Sequence, residues 1–212
     1  MLLGSEARGV GRPEPGILRH ESRRALDSAA NASLRDDIEN GRVTTTTQAV
    51  TIPAGDITLA GTYTCPDSTR PHPAALILAG SGPLDRDGNA SRMPLNVSRD
   101  LARVLAAHGW ASLRFDKRGV GASSGDYLRA GFYDEMGDAQ AALDWLVSRP
   151  DVSNVVVIGH SVGASMASEL AVRQESVDGI VLLSVTAQTG RCTLTWQAAH
   201  IAPTLPAPAR AL

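Results

Sequence analysis

The pentapeptide Gly159-His160-Ser161-Val162-Gly163 sets a serine between two glycines, after the apolar run NVVVIG and before ASMASELAV. A serine hydroxyl is a weak nucleophile until it is exposed in the right place and a base takes its proton. A chain that turns from a strand straight into a helix does the first of these. The serine takes a strained conformation at the tip, and its oxygen projects above the sheet. Residues two before and two after must be small, because the two backbones nearly touch. Gly159 and Gly163 meet that need. The turn also sets Ser161 at a helix N-terminus, where free amides and the helix dipole favour negative charge. The amide of Val162 is then a candidate donor to an oxyanion, and the chemistry implied is attack on a carbonyl carbon. The competing reading is a packing turn whose serine only caps the helix.

The neighbouring segments read as strands and helices in alternation. TTTQAVTI and DITLAGTYT are β-branched stretches separated by the turn cluster Pro53-Ala54-Gly55-Asp56, which predicts an antiparallel hairpin. AALILAG (Ala74–Gly80) and GIVLLS (Gly179–Ser184) are short apolar runs, the pattern of strands buried on both faces. ASLRF (Ala111–Phe115) and NVVVIG complete the strand set. Between them, Leu101, Val104, Leu105 and His108 fall on one helical stripe, with Asn96 or Ser98 to cap it and Gly109 to end it. Met136, Ala139, Leu143 and Leu146 recur at spacings of three and four, behind Asp134 and Glu135 and ahead of Pro150. SVGASMASELAV is the third helix. This alternation predicts a parallel sheet with right-handed crossovers. Residues 1–42 predict a flexible extension, 43–185 a partial domain, and 186–212 an irregular tail rich in Thr, Ala and Pro.

Composition narrows the function. A net charge of −2 gives no electrostatic reason to bind nucleic acid or an anionic membrane. Aromatic residues at 4% offer no stacking surface for single strands. Cys65 and Cys192 make neither a disulfide framework nor a metal motif, and they read as free thiols. No run has the length of a membrane helix, and the N-terminus lacks the apolar core of a secretory signal, so the cytoplasm is the expected location. Neither Gly80-x-Gly82 nor Gly119-x-Gly121 completes a dinucleotide or phosphate-loop fingerprint.

Three stretches in order, LILAGSGPLDRDG, LRFDKRGVGASSG and VVVIGHSVGASMA, resemble the α/β-hydrolases, in the bacterial branch related to serine aminopeptidases and dienelactone hydrolases. The likeness spans residues 44–184. It implies an α/β-hydrolase-type sheet, mostly parallel, with an N-terminal antiparallel hairpin and without the last two strands. It implies a small ester or amide substrate, Ser161 as nucleophile, no cofactor and no metal. It places a second oxyanion donor on Ser81 or Gly82, since Pro83 has no N–H. Asp116 and Arg118 resemble a structural turn pair, in which Arg118 bridges loops through carbonyls or Asp116.

The resemblance also implies an order along the chain: serine, then acid, then histidine. After Ser161 the acids are Glu169, Glu175 and Asp178, and the later histidine is His200. Glu169 and Glu175 fall in or just past the helix after the serine. Asp178 precedes its strand, whereas active-site groups lie beyond the carboxyl ends of parallel strands. His160 adjoins the serine and is expected to pack beside the sheet. The sequence therefore predicts a hydrolase framework lacking its acid and base, as in a truncated or non-catalytic fragment or binding protein. It also predicts that strand Gly179–Ser184 forms an exposed edge open to self-association.

Overall fold

Among the described residues six strands form one sheet in the order β1-β2-β4-β3-β5-β6. The structure is a computed structural model and describes residues 45–66 and 71–201. β1 (Thr45–Ala54) and β2 (Ile57–Pro66) pair antiparallel from Thr45↔Pro66 to Ala54↔Ile57. The expected four-residue turn narrows to Gly55-Asp56, because Pro53 and Ala54 continue β1. Proline is tolerated there because β1 is an edge strand, with no ladder partner on its outer side among the described residues. Gly55 supplies the positive φ of 64° that so short a hairpin needs.

β2 runs antiparallel to β4 (Ala111–Phe115). The pairings of β4 with β3 (His72–Leu78), of β3 with β5 (Val152–His160), and of β5 with β6 (Gly179–Leu183) are all parallel. This is the expected mostly parallel α/β sheet with an antiparallel hairpin at its start. Its middle is dry: Ile52, Leu59, Leu76, Leu113 and Val157 from the strands are under 2% exposed, with Leu143, Leu146 and Leu170 from the helices. Fully burying each such side chain is worth about 1.5–3 kcal/mol.

The helices follow the sequence unequally. In α2 (Phe132–Val147) the predicted stripe of Met136, Ala139, Leu143 and Leu146 is the buried one. The Asp134 carboxylate accepts the Gly131 N–H at 2.7 Å, where the helix dipole favours it. In α1 (Val97–Ala107) the buried residues are Ser98, Ala102 and Ala106, and Val104 is exposed. Small side chains bring that helix close to the sheet, and the larger ones flank the contact. Asn96 sits at the start with φ 55° and makes no side-chain cap. Its backbone N–H and side chain bond to Asn89 instead. Gly109 ends the helix at φ 81°, as expected.

β6 departs from the pattern of its neighbours. Ile180, Val181, Leu182 and Leu183 are 37–42% exposed, so the strand is only partly covered and not buried on both faces. Beyond it, helix α4 (Gly190–Ile201) occupies part of the stretch expected to be irregular, and Leu194 and Trp196 lie exposed on it. Cys65 and Cys192 are free thiols. No helix among the described residues is long and apolar enough to cross a membrane. The extension expected over residues 1–42 lies outside the described residues.

Candidate active site

β5 ends at His160 and helix α3 (Val162–Arg173) begins at Val162, so Ser161 alone makes the turn, with φ 54° and ψ −116°. Such a conformation costs a non-glycine residue about 1–3 kcal/mol and persists only where the surroundings impose it. They do so here through backbone. A Cβ on Gly159 would lie 2.1 Å from the Gly163 carbonyl oxygen. A Cβ on Gly163 would lie 2.4 Å from the Leu78 oxygen and 2.6 Å from that of Ala79. β5, α3 and the end of β3 are thus in main-chain contact around the serine. From the other side, the Ser161 N–H donates to the Leu183 carbonyl of β6 at 2.9 Å. The half-buried serine makes no side-chain cap to its helix, which sets aside the capping alternative. Val162 is the first helical residue, and its N–H is one of the four a helix cannot use internally.

The loop after β3 passes beside this turn. A Cβ on Gly80 would lie 3.5 Å from Ser161 Cβ and 2.8 Å from His160 Nδ1. Gly80 therefore brings the predicted Ser81-Gly82 segment alongside the serine. His160 is exposed next to Gly80, not packed beside the sheet as expected, because the strand ends at the rim. Gly82 has φ 99°, and its carbonyl accepts the Leu84 N–H at 2.9 Å.

Asp116 and Arg118 serve as braces, but not with each other. Asp116 receives two bonds from the Arg86 guanidinium, at 2.9 and 2.6 Å, and the backbone N–H groups of Arg86 and Ala122. Burial pushes the Asp116 carboxyl up, but these donors outweigh it and hold it below the usual range. Arg118 reaches instead to Asp138 in α2, with two bonds of 2.7 Å, and to the Asp134 carbonyl. Burial raises the Asp138 carboxyl, and Arg118 opposes that only in part. Asp85 accepts the amides of Asp87 and Asn89, which braces the LDRDG loop from within. Lys117 and Glu135, 2.7 Å apart, line a small cavity together with Ala79, Phe115 and Met166. In sequence these partners lie 18–30 residues apart, with no periodic pattern to pair them.

No histidine or carboxylate among the described residues hydrogen-bonds the Ser161 hydroxyl. His200 stacks on Trp196, and its Nδ1 lies 2.8 Å from the Trp196 carbonyl oxygen of its own helix. Glu169 pairs with Arg173 along α3. Asp178 exchanges bonds of 2.7 and 2.8 Å with the Val155 backbone, at the amino ends of β5 and β6, which is the wrong end for an active site, as expected. No cluster of three or more metal-binding side chains occurs among the described residues.

Comparison with known proteins agrees with this geometry. The family Hydrolase_4, described as serine aminopeptidase, S33, matches residues 95–210. The esterase EstD of Thermotoga maritima is 35% identical over 130 residues, which are 61% of this chain and 31% of that protein. The chain spans about a third of the length of the curated relatives it matches. Among solved structures, the Pyrococcus furiosus esterase Pf2001 superposes with a TM-score of 0.60 at 23% identity, covering 76% of this chain and 60% of that one. A dienelactone hydrolase-like promiscuous phosphotriesterase from metagenomic libraries gives 0.54 at 23% identity, over 69% and 63%. At that identity the structural likeness speaks for the fold.

Proposed function

The chain belongs to the Hydrolase_4 family of S33 serine aminopeptidases, and from that premise we propose that it is a serine hydrolase of the ester or amide class. Ser161 Oγ attacks the substrate carbonyl carbon and gives its proton to a base. The oxyanion is held by the Val162 amide and by an amide of Ser81 or Gly82. Collapse of this intermediate expels the alcohol or amine and leaves an acyl-enzyme that water cleaves. The observation that carries the reading is the left-handed Ser161 between two glycines that backbone contacts allow to be nothing else. A non-glycine residue held at such cost, beside a loop with free amides, fits a reacting hydroxyl better than a structural one.

The base separates this reading from a second. His200 is turned to its own helix, and no imidazole bonds Ser161 among the described residues. That observation favours a non-catalytic protein that keeps the turn and the loop without the chemistry. Turnover of a short p-nitrophenyl ester tests the two, with Ser161→Ala as the control. Activity that rises faster than protein concentration assigns the base to a second chain. Activity abolished by His200→Ala assigns it to a rearranged α4. Acceleration of only about 10³–10⁴-fold over water, unaffected by either change, is the level of an oxyanion site without its base, and it supports the second reading.

A further inference from the structure

A second cavity, of about 210 Å³, opens at the other end of β5 from Ser161. One water needs only about 10–15 Å³ of such space, so the cavity has room for a small molecule. Its walls are Thr46 and Gln48 of β1, Tyr63 and Cys65 of β2, and Arg149 and Asp151 of the turn before β5. Strand register brings the first four together. Thr46 stands opposite Cys65 and Gln48 opposite Tyr63, so all four share one face of the hairpin. β5 runs from Val152 to His160, which sets this cavity about 30 Å from the serine turn.

The acidic group in this wall is already occupied. The Asp151 carboxylate accepts Nε and Nη2 of Arg149 at 2.8 and 3.0 Å and the Tyr63 hydroxyl at 3.1 Å, and the Cys65 thiol stands 3.9 Å away. A carboxylate offers about four lone-pair sites, so little is left here for a cation. Arg149 is only half used. Its Nη1 makes no hydrogen bond among the described residues, and neither do the exposed side chains of Gln48 and Thr46. The guanidinium is held in place all the same. It lies 4.2 Å from the Tyr63 ring centroid and 5.0 Å from that of Trp145. The turn beneath it is pinned, because the Arg149 carbonyl accepts the Val152 N–H at 3.2 Å and the Asp151 carbonyl accepts the His72 N–H at 2.8 Å. A fixed planar fork with one edge free matches a second carboxylate, which accepts from both N–H groups at once. A phosphate would set a larger negative charge beside Asp151 than a monocarboxylate does.

We propose that this cavity binds a small monocarboxylate, held by the free edge of the Arg149 guanidinium with the Gln48 side-chain amide as a further donor. The proposal does not depend on the role of Ser161. The test is a nuclear magnetic resonance titration of the full chain at neutral pH. Sodium acetate is the probe. Sodium chloride at equal ionic strength and acetamide, which has the same shape without the charge, are the controls. The signals followed are the Arg149 Nε–H, the Gln48 side-chain amide and the Trp145 indole N–H. Acetate is expected to move all three saturably in the millimolar range, and neither control to do so. Arg149→Lys keeps the charge but loses the fork, and should weaken binding about tenfold. Gln48→Ala removes an exposed side chain that has no bond to lose, so the chain folds as before and binds about threefold more weakly. Absence of a saturable shift overturns the proposal. So does an equal response to chloride or acetamide, or an affinity that either folded variant leaves unchanged.

Discussion

The two flanks of Ser161 are built differently. On one side stand β3, the glycine contacts and helix α2, where Leu76, Leu143 and Leu146 are fully buried and the serine turn is fixed by main chain. On the other stands β6, which reaches the turn through one hydrogen bond from Ser161 to Leu183 and leaves four apolar residues more than a third exposed. The contrast separates what shapes the nucleophile from what completes a site around it. The strain at Ser161 is imposed from the packed side, so the turn forms without cover on the open side. Groups that act beyond the end of β6 have no such scaffold among the described residues.

The largest effect is expected at the glycines. Gly163→Ala drives a methyl into two carbonyl oxygens that cannot move apart without parting α3 from β3. It should cost more than about 4 kcal/mol, or leave no folded protein, by thermal or urea unfolding. Asp116→Asn comes next. It leaves the Arg86 guanidinium facing a neutral group in a largely buried site, a loss of about 3–5 kcal/mol. The same carboxylate sets a pH dependence. Its folded pKa is depressed, as is that of Asp151, where burial raises the carboxyl but Arg149 and Tyr63 outweigh it. Their stabilisation is present above the ordinary carboxylate range near pH 4 and is lost as pH falls through the folded values. Acid titration of the unfolding midpoint should show a decline there that Asp116→Asn reduces.

A matched pair sharpens the contrast between the flanks. Leu76→Ala, in a fully buried site, should cost about 3 kcal/mol. Leu182→Lys, on the open strand, should cost under about 1 kcal/mol, since the long side chain reaches water from a site already 37% exposed. The wild-type chain is expected to self-associate through β6 at micromolar concentration, and Leu182→Lys to shift its sedimentation towards monomer. A monodisperse wild type would remove the distinction between the flanks. The smallest effect runs the other way. Ser161→Gly should raise stability by about 1 kcal/mol, because glycine adopts the left-handed turn without strain. It should abolish any covalent modification at that position.

What the sequence revealed was local. GHSVG, the β-branched hairpin and the Met136–Leu146 stripe each declare themselves within a dozen residues, because strand, turn and helix have short periods. What it hid depends on tertiary contact or on its lack. Asp116 stands two residues from Arg118, yet it is bound by Arg86 from a different loop, and nothing in the spacing of arginines and acids selects that pair. The α1 face is Ser98, Ala102 and Ala106, too small to stand out as a hydrophobic stripe. Gly190–Ile201 read as irregular because a helix that buries no face carries no apolar period to detect.

The central claim is that backbone packing presents the Ser161 oxygen as a nucleophile. Incubating the full chain with a fluorophosphonate and mapping the adduct by peptide mass spectrometry tests it most directly. A single adduct on the Ser161 peptide, absent in Ser161→Ala and in heat-unfolded protein, is the result expected. An unmodified chain, or an adduct spread over other serines and kept after unfolding, would contradict it.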